Sequence, residues 1–312
     1  MKQLFNVVVF GFIFLIHNLS YAESTCISDG QWFIPSNNQT LDTDTYLKQV
    51  KNKGIILLGE HHENRDHHVW QLNLIKHFFQ KQKSMAIGLE MVPRRLQSVL
   101  DEWNTGRLTK KEFIEKIEWE TIWAYNFEDY FPLFQFAKSN QIPLLAINVN
   151  KDLLKMVRQV GWENIPENHR DGIDNPATPS RDYVRQLAVS FQRHFSDPSK
   201  LTKEAFLRFV QQQQLWDRAM AETISKAKKE FELIVGLMGS WHIINLYGVP
   251  HQLTSLGATE IETLVPWDEH LQCEELTPKF ASAIFGTTSK SNISNLNNTS
   301  VKKNPVHITN AD

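Results

Sequence analysis

Four apolar runs without polar alternation punctuate the chain, at 55–58, 85–90, 142–148 and 233–238. Each ends on a small or polar residue: Gly59, Glu90, Asn148 and Gly239. Short continuous runs of this kind suit central strands of a parallel sheet that is covered on both faces. A fifth strand is expected at 261–265. The intervening segments carry helical spacing instead. Val69, Leu72, Ile75, Phe78 and Phe79 recur at three and four residues behind Asp66, which reads as a helix N-cap. Pro93 suits the first turn of another helix, whose face is Leu96, Val99, Leu100 and Trp103, with Gly106 as its stop. Thr109 and Glu112 form a capping box ahead of Phe113, Ile114 and Ile117. An aromatic-rich piece follows, from Trp119 through Trp123, Tyr125, Phe127, Tyr130, Phe131 and Phe134. Most of these rings suit a core, while Trp123 and Tyr125 are candidates to face a flat ligand.

About eighty residues of helix and loop separate the third and fourth strands. Pro166, Pro176 and Pro179 make 164–181 irregular, 181–195 reads as helix, and Thr202 caps a long helix. Its stripe is Phe206, Phe209, Trp216, Met220, Ile224 and Ala227. Gln213 and Asp217 interrupt that stripe. Polar groups facing inward need partners, so this face is expected to look onto a cavity. The pattern as a whole predicts an α/β fold: a parallel sheet flanked by helices, with a smaller helical domain inserted at about 155–230.

Composition adds the ends and the compartment. Lys2 followed by an apolar stretch from Leu4 to Ile16, then Ser20-Tyr21-Ala22, predicts a signal peptide over 1–22 cleaved after Ala22. Glu23-Ser24-Thr25 ahead of Cys26 is no lipobox, so no lipid anchor is expected. The α/β domain then spans 23–286, and the Ser, Asn, Thr and Lys of 287–312 read as a disordered tail. A periplasmic or secreted location follows. In such a compartment Cys26 and Cys273, the two cysteines of the chain, are able to pair. Without Lys2 the chain holds 32 basic against 35 acidic residues, which argues against a nucleic-acid partner.

The candidate chemistry lies where the runs end. Ligands of open α/β sheets bind beyond the carboxyl ends of the strands. Gly59 is followed by Glu60, His61, His62 and Glu63, and Gly239 by Ser240, Trp241 and His242. His67 and His68 fall in the first turn of the next helix, where imidazole suits a metal, a propionate, a substrate carboxylate or a loop cap. Glu60, His61 or His62, Glu90 and His242 are therefore expected to converge on one rim, although they are far apart in the chain.

Gly59-Glu60-x-His62 followed by His67-His68-x-x-Gln71 resembles the signature of the ChaN-like haem-binding proteins. Leu89-Glu90-Met91, Gln97 with Leu100, Tyr130-x-Pro132-Leu133, Phe136-Ala137 and Asn148-Val149 extend the likeness. So do Gln213-x-Leu215-Trp216-Asp217, Met220-Ala221, Gly239-x-x-His242 and Gly248-Val249-Pro250. That family lies in a wider superfamily with Tiki, TraB and erythromycin-esterase-like proteins, and the resemblance covers roughly residues 50 to 270. It implies a parallel α/β domain with a helical insertion, export, and a part in haem or iron uptake. It also implies a homodimer holding haem between subunits, with a tyrosine on iron and a histidine near propionate. The tyrosine falls in no shared motif and is left unassigned.

Two functions follow. The first is a non-catalytic haem-binding protein whose ligand residues are Glu60, His61, His62, Glu90, Trp241 and His242, with haem-uptake partners in the envelope. The second is a metal-dependent hydrolase. There His62 and His242 bind a divalent metal with Glu60 or Glu90, and the same two glutamates are the catalytic candidates, because such a site needs about three protein ligands and an open position. A third possibility leaves the histidines and glutamates as structural groups.

Overall fold

The structure is a computed structural model that describes residues 26–50, 53–82, 84–194, 201–267 and 273–287. The expected leader and all but Thr287 of the expected tail lie outside the described residues. In chain order the elements are β1 (Trp32–Ile34), β2 (Gln39–Leu41), α1 (Thr43–Gln49), β3 (Ile55–Glu60), α2 (Arg65–Lys81) and β4 (Met85–Pro93). Then come α3 (Gln97–Asn104), α4 (Lys110–Lys116), α5 (Trp119–Ile122), α6 (Phe127–Ser139), β5 (Leu144–Asn148), α7 (Lys151–Val160) and α8 (Arg181–His194). The last are α9 (Lys203–Ala227), β6 (Leu233–Gly239), α10 (Val249–Ser255), β7 (Ile261–Trp267) and β8 (Ala283–Gly286).

The strands form one sheet in the order β2-β1-β8-β7-β3-β6-β4-β5. Six of them, from β8 to β5, run parallel, and β1 and β2 add an antiparallel edge. β3 is buried along its whole length because both of its faces are covered. Ile56 and Leu58 point into a core shared with α2, α3 and α6. Ile55 and Leu57 point the other way, toward α9 and α10. Unbroken apolar sequence is what a two-faced strand of this sort requires. The segment between β5 and β6 contributes two further small clusters around Trp162 and Phe191, and α9 also lies against the sheet through Met220 and Ile224. Among the described residues, no helix is long and apolar enough to cross a membrane.

Two local readings change. Asn64, not Asp66, caps α2, its side chain accepting the Asp66 N–H. An Asn two residues earlier satisfies an orphan donor of the first turn and leaves Asp66 within that turn, where a carboxylate favours the helix dipole. Pro93 ends β4 instead of opening a helix, and a 3-10 turn, Arg94–Leu96, precedes α3. The capping box at Thr109 and the cap at Thr202 form as the sequence suggests.

Candidate functional site

Register brings the rim together. Glu60 lies directly beside Gly239 in the β3–β6 pairing, and Leu89, just before Glu90, lies beside Leu237. Glu60, Glu90 and His242 are buried there, and His62 keeps 23% of its side chain exposed. Gly239 has to be small: a Cβ on it would stand 3.1 Å from His62 Nε2 and 3.7 Å from Glu90 Oε2. Those two side chains therefore meet over its backbone.

The two histidines have the same support. His62 Nδ1 is 2.7 Å from Glu60 Oε1, and the Tyr130 hydroxyl donates to that same oxygen at 2.6 Å. His242 Nδ1 is 2.6 Å from Asp217 Oδ1, and the Tyr183 hydroxyl donates to Asp217 Oδ2 at 2.6 Å. Each imidazole is thus backed by a carboxylate, which is itself held by a buried phenol. Between the two units stands Glu90. Its Oε1 is 3.3 Å from His242 Nε2, and its Oε2 accepts the Gly239 N–H at 2.6 Å. Asn148, the polar end of β5, fixes the chain here by donating to the Glu90 carbonyl.

Charge follows from this geometry. Burial alone would raise the Glu60 carboxyl, but the adjoining His62 and His68 rings outweigh it and hold Glu60 well below the usual carboxylate range. Glu90 is lowered in the same way, the charge of His242 overcoming burial. Burial opposes a charge on His242, yet Glu90 and Asp217 prevail and push it up to about 10. For His62, burial is likewise overcome, by the Glu60 hydrogen bond and then by Glu90, and its pKa rises. Asp217 is raised by burial. Tyr130 and Tyr183 are driven far above the ordinary phenol range, by burial first and then by Glu60 and Asp217 respectively.

The open side of the rim is aromatic. His62 meets Trp123 edge-on at 4.6 Å and tilts against Tyr125 at 5.1 Å. On the other flank His242 is 5.3 Å from the Trp216 ring, and Trp241 is 51% exposed. The indole N–H groups of Trp123 and Trp216 are buried without a hydrogen-bond partner among the described residues, as are Glu60 Oε2 and both ring nitrogens of His68. His61 and His67 turn to a different task. The His61 N–H donates to His67 Nδ1 at 3.0 Å, and the two rings pack against each other at 5.5 Å. His68 tilts against Tyr130 at 4.1 Å. Gln71 donates to the carbonyl of Gly59 and ties α2 to the end of β3.

The model of the family described as "Haem-binding uptake, Tiki superfamily, ChaN" matches residues 46–253, two thirds of the chain. The chain belongs to that family. Among solved structures, ChaN of Campylobacter jejuni, described with cofacial haem binding, is similar at 16% identity and a TM-score of 0.66, over 83% of this chain and 98% of that one. The erythromycin esterase EreC in its open conformation is more distant, at 14% identity and a TM-score of 0.45, over 76% of this chain and 77% of its own. The effector HopBA1 is 10% identical with a TM-score of 0.46, over 78% and 92%. Among curated proteins none matches by sequence. At these identities the ChaN structure supports the fold, a mostly parallel sheet flanked by helices.

Within this ChaN-family site, Glu60, His62, Glu90 and His242 share the rim, and Trp241 lies exposed beside it. Tyr130, Asp217 and Tyr183 were not singled out for the site by the sequence. The signal for Asp217 was a charged residue on an apolar stripe, and that for Tyr130 its place in the shared Tyr130-x-Pro132-Leu133 motif; Tyr183 offered none beyond being aromatic. The divalent-metal arrangement is not what forms. Among the described residues, no three His, Cys, Asp or Glu side chains are placed to hold an ion. One oxygen of Glu60 and one of Asp217 meet the Nδ1 atoms of the two imidazoles, which binds the groups to each other in pairs.

Proposed function

We propose that this chain is an exported haem-binding protein that takes its cargo at the carboxyl-end rim of β3, β4 and β6. The observation that carries the reading is the half-open His62 ring. Glu60 fixes it from below, Trp123 and Tyr125 flank it, and an unpartnered Trp123 N–H lies beside it. A planar aromatic cargo with a polar edge suits such a surface, and membership of a haem-binding uptake family supports haem as that cargo. When bound, ferric haem offers an iron that accepts phenolate or imidazole. His62, Trp123, Tyr125 and Trp241 would hold it, while Glu60, Tyr130, Glu90, His242 and Asp217 keep the first of these oriented and charged. Dimerisation and envelope partners for transfer complete the proposal. Haemin titration of the purified protein tests it. A Soret shift at micromolar haemin is expected, weakened at least several-fold in His62→Ala. A folded protein that gives no shift would remove the reading. Mass spectrometry of exported protein, with Glu23 expected first, tests the compartment.

A second reading, hydrolysis, is favoured by one observation. Both imidazoles are backed at Nδ1 by a carboxylate, the support a general acid or base requires. Ester or amide turnover by metal-stripped protein, lost in both His62→Ala and Glu90→Gln, would establish it.

A further inference from the structure

α2 carries the site on one face and a separate cleft on another. His68 and Gln71 turn to the rim, whereas Asp66, Val69, Trp70, Asn73 and His77 follow the helical period along a different stripe. That stripe forms one wall of a cavity of about 530 Å³. α1 also lines it through Thr43, Asp44 and Leu47, and the β1–β8 pair of the sheet through Trp32, Phe285 and Gly286. The volume is in the range of small-molecule sites, about 300–1,000 Å³.

The β1–β8 side is aromatic. Trp32 and Phe285 are cross-strand partners with ring centroids 5.0 Å apart, and Trp70 stacks on Phe285 at 6.0 Å. At the mouth Val69 is 49% exposed. Two polar atoms of the wall are buried with no hydrogen-bond partner among the described residues: Trp70 Nε1 and Asp66 Oδ2. They belong to residues one helical turn apart, and Trp70 itself is 6% exposed. Buried polar atoms are almost always paired, so a donor that lacks an acceptor and an acceptor that lacks a donor point to a missing third party. The wall also has a sign. Asp44 and Asp66 line the cleft, and no Lys or Arg is among the described residues lining it. His77, the remaining titratable group there, is lowered by burial and then by Lys81, which favours its neutral form.

We propose that this cleft is a second binding site, distinct from the rim, for a small organic ammonium with an apolar ring and a hydrogen-bond acceptor. The ammonium pairs with Asp66, the ring rests against Phe285 and the edge of Trp70, with Trp32 buried behind them, and the acceptor takes the Trp70 N–H. Aromatic faces attract cations as well as apolar groups, so the rings and the carboxylates select the same ligand.

Three matched probes test the site: tyramine, its neutral alcohol analogue 4-hydroxyphenylethanol, and the anion 4-hydroxyphenylacetate. The readout is the Trp70 indole N–H resonance in a proton–nitrogen spectrum, assigned by its absence in Trp70→Phe. Tyramine is expected to shift it saturably in the millimolar range or below. The neutral probe should bind about tenfold more weakly, the equivalent of ~1.4 kcal/mol, and the anion should leave the signal in place. Asp66→Asn should abolish the preference for tyramine over the alcohol. Val69→Arg, a change at an exposed position that places a competing cation at the mouth, should block tyramine without altering the circular dichroism. His62→Ala should leave tyramine binding intact, which separates this site from the haem reading in either direction. No shift with millimolar tyramine, an equal response to all three probes, or undiminished binding in Val69→Arg would overturn the proposal.

Discussion

His242 is held as an imidazolium between two carboxylates, and its stability contribution has a definite sign. Its folded value of about 10 lies above the ordinary 6.5, so the folded protein retains a proton that the unfolded chain releases. That stabilisation is complete below the ordinary value and is lost as pH rises through about 10. Glu60 and Glu90 act oppositely. Their folded values are depressed, so their contribution is present above the ordinary 4.5 and disappears as pH falls through the folded values. Urea midpoints should therefore decline on both the acid and the alkaline side, and His242→Asn should flatten the alkaline limb and, by removing the charge that lowers Glu90, reduce the share of Glu90 in the acid limb. Asp217→Asn removes one charge of a fully buried pair and should cost about 3 kcal/mol at neutral pH, the scale for stranding a buried partner. A urea midpoint unchanged by that variant would refute the pairing. At this scale the sequence was legible where chemistry stood at the end of an apolar run, as with Glu60, His62, Glu90 and His242. It was illegible for Tyr183, and for the role of Tyr130 although a shared motif marks that residue, because both roles exist only after α6 and α8 are packed against the rim.

Elements were readable in proportion to their length and period. Five of the six parallel strands and α9 announced themselves, but β1, β2 and the parallel β8 are three or four residues each. A run that short shows neither alternation nor continuity, and their place in the sheet depends on partners far along the chain. The same distance governs the Cys26–Cys273 disulfide, whose Cα atoms are 5.5 Å apart across 247 residues. It ties the start of the described chain to the segment preceding β8. Closing so long a loop removes much chain entropy from the unfolded state, about 5 kcal/mol in the loop-entropy account. Replacing both cysteines with serine should lower stability by several kcal/mol, read as a shift of the denaturant midpoint, while the haemin-binding rim persists below the transition. The turn after β6 depends on Gly248. Its φ of +57° is in the left-handed range, and a Cβ there would lie 2.4 Å from the His242 carbonyl oxygen and 3.1 Å from Asp217 Oδ1. Gly248→Ala should therefore destabilise the fold by about 1–3 kcal/mol and disturb His242 as well. The second effect is visible as a moved imidazole resonance, which backbone strain remote from the ring would not give.

For the whole molecule, the decisive property is that parallel strands end on one side. Residues 180 positions apart, Glu60 and Ser240, touch through the Ser240 hydroxyl and the Glu60 carbonyl because β3 and β6 are neighbours in register. The same topology sets His62 and His242 on either side of Glu90, each bearing on its charge. Sites that share a partner do not behave independently, whereas residues more than ~7–10 Å apart with no shared partner usually add. The double-mutant cycle of His62→Ala and His242→Ala, read by haemin affinity, should accordingly be non-additive. Each single change removes one imidazolium and leaves Glu90 to the other, so the first substitution already disorders what the second would have removed. The double variant should then lose less affinity than the two losses combined, by a coupling of about 1 kcal/mol or more. Strict additivity would assign the histidines to separate ligand contacts. If neither single variant alters haemin affinity while both lower the urea midpoint, the paired imidazoles serve only to neutralise the buried carboxylates, and the cargo rests on Trp123, Tyr125 and Trp241 alone.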